Sequence, residues 1–89
     1  MFEGKTPVKN PNLRIINYLN SYYGTIDGEH LYQVDVLVVG LLKYCDGKNK
    51  YEDIVKMLAE KTKIPEDKIK PVLDRIFKEL TDMKFIEWK

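Results

Sequence analysis

Apolar residues recur at helical spacing through the C-terminal half of the chain. Tyr51, Ile54, Val55, Leu58, Ala59 and Thr62 form an i, i+3, i+4, i+7 stripe, which predicts a helix from about Lys50 to Lys61. Ile69, Val72, Leu73, Ile76, Phe77, Leu80 and Met83 repeat that spacing and predict a longer helix from about Pro65 to Met83. Pro65 suits a first-turn position, whereas Pro71 must lie near the true start of the helix or kink it. Upstream, Asp35 stands where an N-cap belongs, before VLVVGLLKYC. That segment is apolar nearly all round, as a central buried helix would be. Gly40 inside it costs roughly 1 kcal/mol of helix propensity, which points to close packing there. Asp46-Gly47 ends the segment, with Gly47 suited to a left-handed position.

Before Asp35 the period changes. SYYGTI, Asp27-Gly28 and EHLYQV read as a β-hairpin, because Asp-Gly tolerates the two positive φ angles of a type I′ turn. A two-residue loop there sets Tyr23 opposite Tyr32 and Gly24 opposite Leu31. RIINYLN, from Arg14 to Asn20, has the β-branched and aromatic content of a further strand. Residues 1–12 hold Gly4, Pro7, Asn10 and Pro11, and read as an irregular arm ahead of a single domain over 13–89. KFIEWK at the end alternates briefly, as a short strand or docked tail would. The expected class is α+β: an N-terminal hairpin of two or three strands followed by a three-helix bundle, winged-helix-like in outline.

Composition narrows the function classes. A chain of 89 residues has room for one small core. Its formal charge of +1 argues against nucleic acid or an anionic membrane as partner. The longest apolar run, around Val36 to Leu42, is far short of a bilayer span. With one cysteine and a start unlike a signal peptide, the expected location is the cytoplasm. His30 and Cys45 are too few and too far apart for a metal site, and no phosphate loop or nucleophile motif is present. The carboxylates alternate with lysines as on solvated helix faces. No cofactor, metal or catalytic residue is expected.

Binding has better support, because a small sheet with a free edge beside an apolar helix stripe is a template for strand addition. The order of elements from Leu31 to Glu87 also resembles a known family. Strand LYQV, cap Asp35, an apolar helix ending in Cys45-Asp46-Gly47, then Asp53-Ile54-Val55 with Leu58, a long helix and the closing FIE are similar to the PqqD-like proteins. These are the RiPP recognition elements, and the similarity covers about two-thirds of the chain. The resemblance implies a non-enzymatic peptide chaperone. Such a domain binds the leader of a ribosomally made precursor peptide as an added strand and presents it to a modifying enzyme, often a radical S-adenosylmethionine enzyme. Carried onto this chain, it implies an edge strand at His30, Leu31, Tyr32, Gln33 and Val34. It implies a groove wall on the third helix, with Leu73 and Phe77 as apolar contacts and Lys70, Asp74 and Lys78 reading leader charges. Phe77 has an equal reading as plain core. Lys84 stands where such proteins commonly place a glycine, so the last turn is expected to differ. Three alternatives remain: a winged helix-turn-helix DNA-binding regulator, which the mixed charges of the third helix disfavour; an assembly factor for a folded partner; and, for the free edge itself, a strand-paired homodimer in place of a monomer.

Overall fold

The computed structural model describes residues 2–89. Five strands and three helices follow in the order β1 (Pro7–Lys9), β2 (Arg14–Tyr18), β3 (Ser21–Thr25), β4 (Tyr32–Val34), α1 (Val36–Leu42), α2 (Tyr51–Thr62), α3 (Glu66–Asp82) and β5 (Ile86–Trp88). The α+β class and the sheet-then-three-helices order agree with the sequence pattern. No helix among the described residues is long and apolar enough to cross a membrane.

β2, β3 and β4 form an antiparallel sheet in that order, which leaves β4 as an edge strand. Its register differs from the expected one. Tyr23 faces Gln33 and Gly24 faces Tyr32, and β3 and β4 are joined by a loop over 26–31 instead of a two-residue turn. Asp27 is the cause. Its carboxylate accepts hydrogen bonds from the backbone N–H groups of Glu29 and His30, at 2.8 and 2.9 Å, and so holds a wider loop. The tight turn lies one hairpin earlier, where Leu19 and Asn20 take φ values of 51° and 65° between β2 and β3. The one-residue slip exchanges the partners across the sheet. Tyr22, Gly24, Tyr32 and Val34 now share the core face, and Ser21, Tyr23 and Gln33 the other.

The N-terminal arm is not irregular. β1 pairs antiparallel with β5, Val8 opposite Glu87, so the two ends of the chain close against each other. The Cys45-Asp46-Gly47 turn anchors that pair: Lys9 N–H donates to the Cys45 carbonyl and Gly47 N–H to that of Pro7. Gly47 has φ 81°, and a Cβ there would lie 3.4 Å from Val8 Cγ2. Phe2 stacks on Trp88 with ring centroids 4.4 Å apart, and Trp88 meets Phe77 edge-on at 5.2 Å. The core thus joins both termini to α2 and α3.

Local chemistry accounts for the helix ends. Asp35 precedes α1 with extended backbone but makes no side-chain cap bond. At α2 the Asp53 carboxylate reaches back to the Lys50 N–H at 3.0 Å. Pro71 lies inside α3, where it removes one intrahelical donor. Lys84 adopts φ 63°, the conformation in which a glycine would be favoured, and Asn10 Nδ2 donates to its carbonyl at 2.9 Å. The last turn therefore forms despite the lysine. Gly40 does not mark close packing: a Cβ there would meet nothing within 4 Å.

Candidate functional site

A groove follows the free edge of the sheet. One wall is β4 and then α1; the other is α3, which crosses with its C-terminal end beside β4. Next to the strand the groove widens into a cleft of about 410 Å³ lined by Gln33, Asp35, Val38, Ile76, Glu79 and Met83, among others. Beyond Ile76 it continues into a recess of about 160 Å³ between the helices, where Leu37, Leu58, Ile64, Val72 and Leu73 line the walls and Lys68 the rim. The Thr62 hydroxyl of that recess is already satisfied, because its Oγ1 donates to the Leu58 carbonyl at 2.7 Å. It is an apolar socket open to solvent on one side.

Large apolar side chains stay accessible along this path. Leu31, Tyr32, Leu37, Ile64 and Val72 are 42–53 % exposed. Tyr32 leans its ring edge on Phe85, centroids 6.0 Å apart. Phe85 itself is buried because Gly24 leaves it space: a Cβ on Gly24 would lie 2.7 Å from Phe85 Cε2. Gly24 therefore sets how Phe85, and through it Tyr32, is seated at the start of β4.

The ten residues expected to bind peptide divide into four groups. Tyr32, Gln33 and Val34 form the edge strand, with the Val34 side chain buried. His30 and Leu31 precede the strand, in the loop that Asp27 organises, and both are exposed. Leu73 is 3 % exposed and forms the floor of the helical recess. The remaining four lie elsewhere, because α3 is rotated relative to the expected groove face. Phe77 is 0 % exposed and packed among Phe2, Tyr51 and Trp88, so it is core and cannot contact a bound peptide. Asp74 accepts a 2.6 Å hydrogen bond from the buried Tyr51 hydroxyl, and Lys78 pairs with Asp82 at 3.0 Å. Lys70 lies one turn before Asp74 on that same side of the helix. The side of α3 that faces the groove is Val72, Ile76, Glu79 and Met83. Val72, Ile76 and Met83 were visible as members of the helical stripe; nothing in their spacing set them apart from Leu73, Phe77 and Leu80.

Groups with chemical potential are engaged in structure. Cys45 is 2 % exposed, and burial, with a contribution from Asp46, pushes its thiol up to about 12. A thiol so placed is not a thiolate at neutral pH. Burial and the Asp74 carboxylate likewise raise the Tyr51 hydroxyl above its ordinary value. Asp27, Glu29 and His30 bring ligand atoms within 4.8 Å of one another in the exposed loop. Asp27 is held far below the usual carboxylate range, first by the His30 backbone N–H and then by its ring and the Glu29 N–H. His30 Nδ1 lies 2.7 Å from its second oxygen, so the trio is a closed loop staple.

No protein-family model, no curated protein and no solved structure matches the chain.

Proposed function

We propose that this protein is a non-catalytic peptide-binding adaptor of the PqqD-like kind. It takes up an extended segment, the leader of a ribosomally made precursor peptide, as an added strand on β4 and presents it to a modifying enzyme such as a radical S-adenosylmethionine enzyme. The observation that carries this reading is the coincidence of an edge strand with a groove alongside it, polar beside β4 and apolar where it runs on between the helices. Either feature alone is common on protein surfaces. Together they offer a peptide both backbone partners and side-chain sockets.

The energetics require both parts. Each added backbone hydrogen bond contributes about 0.5–1.5 kcal/mol net, and ordering each peptide residue costs about 1–2 kcal/mol. β4 is short, so strand pairing alone leaves no surplus. Two or three apolar side chains buried at about 1.5–3 kcal/mol each supply it, and the recess walled by Leu37, Val72 and Leu73 is where one of them goes. Micromolar to submicromolar affinity follows.

Amide NMR on labelled protein titrated with the leader of a precursor peptide tests this reading. Shifts at Tyr32–Val34 together with Val72, Ile76 and Met83 are expected. Silence along β4, with shifts on α3 and Lys84–Lys89 when duplex DNA is added, would replace the adaptor with a DNA-binding regulator.

A further inference from the structure

The groove carries opposite charges at its two ends. Beside β4, Asp35 from the sheet side and Glu79 from α3 both line the wide cleft. At the far end, Lys68 lines the rim of the apolar recess. Among the described residues the ion pairs are Asp27–His30 and Lys78–Asp82, and neither involves these three side chains. All three are exposed and, unlike Asp27, Asp46 or Asp53, none donates or accepts in a side-chain hydrogen bond among the described residues. Between the two ends lies a floor of Val72, Leu73 and Ile76 with no charge on it. The groove lining is thus ordered along α3 as basic, apolar, acidic, with the exposed Arg75 on the flank of the helix one turn before Glu79.

We propose that this order selects both the sequence and the direction of the bound segment: the occupant is an extended peptide reading acidic, apolar, basic from its N- to its C-terminus. The inference rests on the strand-addition reading above and deepens it. β4 runs from the Tyr32 end of the groove toward α1, and antiparallel pairing is the more stable of the two geometries. An antiparallel occupant therefore enters at Lys68, crosses the recess and reaches Asp35 and Glu79 before it pairs with β4. Helix rise fixes the spacing. Lys68 and Glu79 are separated by about 16 Å along α3 at 1.5 Å per residue, which an extended strand covers in about five residues. The apolar side chain that fills the recess then comes about two residues after the acidic one. A branched aliphatic or aromatic side chain suits the recess, given its size and its apolar walls.

The test uses two synthetic peptides of identical composition on the full chain. Both carry a central leucine; one has glutamate before it and lysine after it at the stated spacing, the other has the two charges exchanged. Fluorescence anisotropy gives affinities, and amide shifts at Tyr32–Val34 report strand pairing. The glutamate-first peptide is expected to bind about tenfold more tightly at low salt, with the preference narrowing as salt screens it. The double reversal Lys68→Glu with Glu79→Lys is expected to invert the preference; both side chains are exposed, so the fold is retained. Equal affinity of the two peptides, or a preference that the double reversal leaves unmoved, would overturn the charge code. If in that case both peptides still shift Tyr32–Val34, strand addition stands and only the code fails. If neither peptide shifts those amides, both readings fall.

Discussion

α3 has two apolar faces that differ in what covers them. One, through Ile69, Leu73, Phe77 and Leu80, is buried: Phe77 at its centre is packed against Phe2, Tyr51 and Trp88, and Leu73 at its margin floors the recess. The other, through Val72, Ile76 and Met83, lines the groove; Ile76 and Met83 are half-buried and Val72 is 42 % exposed. The two faces share one helix and the same residue types, yet one serves stability and the other is open to a partner. Apolar character therefore does not separate core from site in this protein. What separates them is whether the chain contains something to cover the face. The termini supply it on one side: Phe2 and Trp88 stack across the end of the aromatic cluster.

The sharpest way to break the comparison is to remove the centre of the closed face. Phe77→Ala leaves a cavity among Phe2, Tyr51 and Trp88 and is expected to cost about 3–5 kcal/mol. That is a large part of the stability of a domain this small. Urea denaturation followed by tryptophan fluorescence reads it through Trp88. Labelling of Cys45 by a thiol reagent, slow in the native protein because the thiol is buried, should accelerate in parallel. A loss under 1 kcal/mol would show that Phe77 is not packed as described. Binding would fall in this variant only as far as unfolding removes the groove.

Next in size is Gly24→Ala. The added Cβ meets the buried Phe85 ring at 2.7 Å, and overpacking of this kind costs about 1–3 kcal/mol. Because Phe85 seats Tyr32, the variant also disturbs the start of β4. It should weaken peptide binding by more than its stability loss predicts, whereas Phe77→Ala should not. Thermal melts paired with peptide titration distinguish the two. An unchanged melting temperature would mean that Phe85 has room to move.

Much of this architecture was legible in the sequence because it is local. The stripes of α2 and α3 and the apolar α1 after Asp35 each depend on neighbours a few residues apart. The errors came where a partner lies far away or where local signals compete. Pro7–Lys9 looked irregular because its strand partner, Ile86–Trp88, is at the opposite end of the chain. Asp27-Gly28 looked like a tight turn, but the Asp27 carboxylate organises the backbone of the residues after it. Leu19 in a left-handed turn carries no signal at all, since leucine is disfavoured there. Phe77 reads equally as groove or core in the sequence because the seven apolar side chains of the stripe span both faces of α3, and the structure buries it. Lys70, Asp74 and Lys78 do not line the groove walled by Val72, Ile76, Glu79 and Met83. Only the packing of Phe2 and Tyr51 on one side settles which is which.

On the open face the expectation is reversed. Val72→Ser changes a side chain that is already substantially solvated, so stability should stay within about 0.5 kcal/mol of the parent. The same change removes an apolar wall of the recess and should lower peptide affinity by about tenfold, or 1.4 kcal/mol. The pair of measurements is the point. Loss of binding without loss of stability places Val72 in the site; equal loss of both would make the open face a second core.

The smallest effect has the opposite sign. Gly40 lies inside α1, and an added Cβ would meet no atom within 4 Å. Glycine in a helix interior is destabilising by about 0.5–1 kcal/mol relative to alanine, so Gly40→Ala should stabilise the protein by that amount. For a domain of this size the melting temperature should rise by about 3–6 °C. Gly40 borders a shallow apolar recess shared with Leu37 and Leu41, on the side of α1 toward Tyr44 and Leu58. The charge-ordered path between Lys68 and Glu79 does not run through it. Peptide affinity should therefore be unchanged while stability rises, which extends the comparison from α3 to its neighbour. A stabilised variant that no longer binds would show that the occupant crosses α1 over Gly40, and would move the apolar anchor from the Val72–Leu73 wall toward Tyr44.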